Sequence, residues 1–98
     1  MQSKIYVYRI TTGVGTMVIW PTVHRVHVGD TVRWVTDGAA LSIAFAPGSE
    51  GAVQFGQQPG PGTLEGRAAV EGYHNFAVMA WQAEKPPICD VAVLIIDP

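Results

Sequence analysis

The chain has 98 residues, 48% of them apolar and only 14% charged. That is the size of one domain (1–98) with a single modest core, and its surface is far poorer in charge than the ~25% usual for soluble domains. Six Lys and Arg against eight Asp and Glu leave a net charge of −2, and the cations Lys4, Arg9, Arg25, Arg33, Arg67 and Lys85 are scattered. This argues against nucleic acid as a partner, because phosphate binding needs clustered cations, and no apolar run reaches the ~18 residues of a membrane-spanning helix.

In chain order, Ile5, Val7 and Arg9 alternate with Tyr6, Tyr8 and Ile10, a first strand ended by Thr11-Thr12-Gly13-Val14-Gly15. Met17–Trp20 is a short extended run stopped by Pro21, which has no N–H for a ladder. Two strands follow, Val23–Val28 and Thr31–Thr36, joined through Gly29-Asp30. Asp37-Gly38 marks a turn, and Leu41–Phe45 reads as the next strand. Between Ala46 and Ala69, six glycines and three prolines break the pattern. Val53 and Phe55 form at most a brief strand there, and Gly56–Gly66 is expected to be a long loop. His74–Ala80 and Val91–Ile96 are the last two strands, separated by Pro86-Pro87. Seven or so strands without a helix predict an all-β Greek-key sandwich, with Val26, Val28, Val32, Trp34, Ile43, Phe45, Phe76, Val78, Val93 and Ile95 in its core.

Several of these segments resemble the cupredoxins, the small blue-copper β-sandwiches. Pro21 stands eight residues before Gly29, and Asp30, Val32 and Trp34 complete a Gly-Asp-x-Val-x-aromatic segment of the kind that family carries. Leu41-Ser42-Ile43-Ala44-Phe45 matches the segment that begins with the family's first copper-ligating histidine. Gly72-Tyr73-His74-Asn75-Phe76-Ala77-Val78 is similar to its Gly-x-Tyr-x-aromatic-x-Val run, and Asp90–Ile96 to its final strand. The resemblance implies a cupredoxin-like fold over most of the chain. It also implies a copper site of two imidazoles, one thiolate and a weak axial ligand such as methionine. The ligands depart from that pattern. Leu41 occupies the histidine position, Met79 precedes Cys89, and no His or Met follows Cys89. The reading is therefore a copper-free member, without a cofactor.

A rearranged metal or redox site would have to draw on His24, His74, Cys89 and Met79. His24 and His74 fall on core-facing positions beside Val26 and Phe76, and His27 points outward. Zinc sites show close-spaced Cys and His pairs, which this chain lacks. Catalytic groupings are absent too. Cys89 and Asp90 are neighbours that a strand sends to opposite faces, and no spacing pairs the carboxylates of Asp37, Glu50, Glu65, Glu71 and Glu84. The chain is expected not to be an enzyme.

What remains is binding. Low charge implies apolar surface of the kind that marks interfaces. Trp20 and Trp81 are candidates for exposed anchors at the sandwich rim, for a protein or a stacked sugar. The run Val91–Ile96 is apolar on both faces, so Leu94 and Ile96 are expected to lie outside if Val91, Val93 and Ile95 fill the core. Cover for them would come from a second copy or another protein, and a homodimer is the expected outcome. Small-molecule or sugar binding under the long Gly/Pro loop is an alternative. The N-terminus shows no signal-peptide pattern, and a single cysteine fits a reducing compartment. A cytoplasmic location is expected unless a signal peptide has been removed.

Overall fold

The computed structural model describes residues 4–37, 40–56, 60 and 62–98. Among these residues there is no helix, and nine strands follow one another. They are β1 (Ile5–Thr12), β2 (Met17–Trp20), β3 (Val23–His27), β4 (Thr31–Thr36), β5 (Ala40–Phe45), β6 (Val53–Phe55), β7 (Thr63–Ala68), β8 (Gly72–Trp81) and β9 (Ile88–Asp97). Sheet I has the order β2-β1-β4-β7-β6 and sheet II the order β3-β9-β8-β5. β1 runs parallel to β4 and β3 parallel to β9, and the remaining neighbours are antiparallel. The two mixed sheets pack as a β-sandwich.

Alternation explains most strands. In β4 the side chains of Val32, Trp34 and Thr36 are buried, while Thr31, Arg33 and Val35 are half-buried on the other face. Pro21, reached through a cis Trp20–Pro21 peptide, separates β2 in sheet I from β3 in sheet II. The Gly29-Asp30 turn is a clasp. Gly29 sits at φ 96°, a conformation that favours glycine. The buried Asp30 carboxylate accepts the backbone N–H groups of His27 at 2.8 Å and Lys4 at 3.2 Å. Gly29 N–H donates to the Ala68 carbonyl, so the turn ties the start of β1 to the end of β7. This motif is structural.

The core is aromatic. Tyr8 and Trp34 stack with centroids 5.7 Å apart, and Phe76 meets both edge-on at 5.1 and 5.5 Å. Val26, Val32, Val78, Leu94 and Ile96 close around them. Ile43 and Phe45 are partly buried against this cluster.

Three expectations need correction. Val28 is exposed, because β3 ends at His27 and Val28 already belongs to the turn. Val93 and Ile95 are half-buried on the outer face, and it is Ala92, Leu94 and Ile96 that enter the core. Register decides this: β8 sends His74, Phe76 and Val78 inward, and cross-strand partners share a face, so Leu94 opposite His74 and Ala92 opposite Phe76 point inward too. Finally, the expected loop from Gly56 is shorter, since β7 begins at Thr63. Gly66 read as a breaker but lies inside β7, where a Cβ would come within 2.8 Å of the Gln54 carbonyl oxygen of β6. Gln57, Gln58, Pro59 and Pro61 of that segment, and Gly38 of the Asp37-Gly38 turn, lie outside the described residues.

Candidate functional site

The four candidate metal ligands fall into two pairs on opposite faces of sheet II. His24 and His74 both point inward, and both have Leu94 of the intervening strand as register partner. Two strand spacings put their Cα atoms about 10 Å apart, with the Leu94 side chain between them. Both nitrogens of His74 and the Nε2 of His24 are also engaged. His24 Nε2 donates to the Val7 carbonyl at 2.7 Å. His74 Nε2 donates to the Val70 carbonyl at 2.8 Å, and its Nδ1 lies 2.9 Å from the Ser49 hydroxyl. Cys89 and Met79 are register partners on the outer face of the same sheet. The described residues hold no group of three His, Cys, Asp or Glu close enough to bind a metal ion. Leu41, at the position matched to a copper-ligating histidine, packs against the core and offers no lone pair.

His24 belongs instead to a polar seam between the sheets. Its ring stands edge-on to Tyr6 at 5.4 Å and to Tyr8 at 4.6 Å. The Tyr8 hydroxyl donates to the Val93 carbonyl and accepts the His24 backbone N–H at 3.2 Å, fastening β1 to β3 and β9. Burial pushes the Tyr8 phenol well above the ordinary tyrosine value, and the hydrogen bond from His24 only partly opposes this. Below pH ~10 the contribution of the neutral phenol is complete. Above it the unfolded chain loses the proton while the fold retains it, so stability falls by about 1.4 kcal/mol per pH unit. Urea unfolding from about pH 8 to about pH 11 should show this slope, and Tyr8→Phe should remove it. An unchanged slope in the variant would assign the alkaline loss to other groups.

Cys89 is exposed and unpaired, and Asp90 Oδ1 accepts the N–H of Val91 rather than orienting a base. Trp20 and Trp81 are exposed on opposite sides of the molecule. Trp20 lies on the outer face of sheet I opposite Arg9, and Trp81 on the outer face of sheet II opposite Ala40, so they form no common platform. Leu94 and Ile96, expected to form an outer contact surface, are 0% and 2% exposed and belong to the core.

Sheet I exposes Ile5, Val18 and Trp20 too, but among Arg9, Arg33, Glu65 and Arg67; the apolar surface poorest in charge is on sheet II. Val23, Tyr73, Trp81 and Val91 project from its outer face, with Ala44, Ala77, Met79, Val93 and Ile95 between them. An ion pair, Arg25 with Asp97 at 2.7 Å, sits at its corner. Hydrogen bonding and attraction to Arg25 hold the Asp97 carboxyl below the usual carboxylate range. A hollow of about 320 Å³ lies over Ala44 and Ala77, rimmed by Asn75 and Val91.

Two further clefts differ in kind. One of about 400 Å³ on sheet I, beside Gly56, is lined by Thr31, Gln54, Phe55, Glu65 and Arg67. Arg33 Nε holds Glu65 at 2.6 Å next to it. The other, about 530 Å³, lies between Val14-Gly15 and Lys85–Cys89.

Together these features define an all-β sandwich with a broad, nearly neutral apolar sheet face. Neither a protein-family model nor a curated protein matches the sequence. In fold the chain is similar to the crystal structure of a cysteine protease inhibitor from Entamoeba histolytica, with a TM-score of 0.59 and 12% identity over 99% of each chain. At that identity the likeness concerns the fold alone.

Proposed function

We propose that the chain is a non-catalytic, copper-free, cupredoxin-like Greek-key module that works by binding protein through the outer face of sheet II. The observation that carries this reading is the exposed row of Val23, Tyr73, Trp81 and Val91 on a face whose ion pair is confined to one corner. Cupredoxin character is supported by the Pro21 break, which divides one extended run between two sheets, and by the parallel pairing of β1 with β4. The donor set does not fit copper. Leu41 has no lone pair to offer, the two inward histidines are held apart by Leu94, and the thiol and thioether lie on the other face. The solved structure of similar fold is described as a cysteine protease inhibitor, which accords with a sandwich used for recognition.

The test has two arms. Dialysis after loading with copper should leave no stoichiometric metal and no blue thiolate-to-copper band. Retained copper that is lost on Cys89→Ser would instead establish a rearranged site. A fluorescent apolar dye, titrated at dilutions where the chain is free, should bind the wild type and bind Val91→Lys at least tenfold more weakly. Equal binding by both would remove the docking face.

A further inference from the structure

The face just described is complementary to itself, and we propose that its occupant is a second copy of this chain, packed face to face across a two-fold axis that crosses the strands near Asn75 and Val93. This rests on the protein-binding reading above and names the partner.

Charge is the first argument. Among the described residues, the outer face of sheet II carries Arg25 and Asp97, paired with one another at a corner, and His27 opposite Asp97 at the same corner. No acidic or basic partner is favoured there, and two such faces meet without bringing like charges together. The corner pair stays in water at the rim.

Relief is the second argument. Tyr73, 65% exposed, projects four residues before Ala77 on β8, and Ala77 with its register partner Ala44 floors the hollow. With the axis at Asn75, β8 lies over its copy in the opposite direction, and residue 73 of one copy stands above residue 77 of the other. Each tyrosine ring then fills the other copy's hollow, a large side chain over small ones on both halves of the interface. Asn75 meets its own equivalent near the axis, and the carboxamide, both donor and acceptor, can pair with itself. Val91, 66% exposed, comes to lie over the partner's Ile95.

Sedimentation velocity across a wide concentration range should show a monomer–dimer equilibrium. Tyr73→Ala should weaken it at least tenfold and Val91→Lys should leave a monomer, with circular dichroism unchanged in both. In a Cys89→Ser background, Asn75→Cys should be linked to its copy by a short bismaleimide and Thr31→Cys, on the other sheet, should not. A chain that is monomeric at every concentration yet binds the apolar dye through Val91 overturns self-association and leaves the docking reading intact. A monomer that does not bind the dye overturns both. A dimer indifferent to Tyr73→Ala and Val91→Lys, or linked through Thr31→Cys, places the contact elsewhere and overturns the proposal.

Discussion

Leu94→Lys is expected to abolish folding, whereas Val91→Lys, three residues earlier on the same strand, is expected to leave it intact. Leu94 is 0% exposed and lies among core side chains with His24 and His74 as its neighbours in adjacent strands. Neither imidazole carries the negative charge that would compensate an ammonium group, and both already hydrogen-bond to the protein. An unpaired charge at such a site costs several kcal/mol beyond the ~2–5 kcal/mol of lost leucine packing. Against a total stability of about 5–15 kcal/mol for a small domain, that is enough to unfold it. Val91, on the opposite face, is 66% exposed, and a lysine there should change the stability of the monomer by no more than about 0.5 kcal/mol. Far-UV circular dichroism and urea titration of the two variants read the difference directly. A folded Leu94→Lys beside an unfolded Val91→Lys would mean that the strand faces the other way.

That contrast shows where the sequence was legible and where it was not. Val32, Trp34 and Thr36 alternate with more polar neighbours, so the inward face of β4 can be read from the residues alone. The inward direction of His24 and His74 follows in the same way from Val26 and Phe76. Val91–Ile96 is apolar at every position, and alternation there has no phase to read. The phase is set by the register of β9 against β8, a long-range pairing. The same limit applied to the candidate metal ligands. The inward face of the two histidines is legible, but strand order is not, and strand order is what puts Leu94 between them and leaves an exposed Cys89 beside Met79 on the other side. β7 was hidden for a different reason. Gly66 marks the close approach of β6 rather than a turn, and composition does not distinguish those two uses of glycine. Because alternation has no phase in Val91–Ile96, the outer apolar face lies on the expected strand but with other residues: Val91, Val93 and Ile95, rather than Leu94 and Ile96, occupy it.

Trp34 should be the most costly aromatic to truncate, and the way in which it fails is informative. It is 0% exposed and touches Tyr8, Phe45, Phe55 and Phe76, so it joins the two sheets. Trp34→Ala opens a large cavity and should cost ~3–5 kcal/mol, seen as a lower urea midpoint with an unchanged slope. The indole Nε1 adds a second effect. It is buried and has no hydrogen-bond partner among the described residues. Burying such a donor without a partner costs roughly 1–3 kcal/mol, a penalty already present in the native chain. Trp34→Phe keeps a six-membered ring in contact with its aromatic neighbours and removes the orphaned N–H. The lost ring volume and the relieved polar burial then oppose each other, and the net cost should be no more than ~1.5 kcal/mol. If Trp34→Phe proved as damaging as Trp34→Ala, the indole N–H would have to be satisfied in solution, and the core would hold a polar contact that stabilises the sandwich.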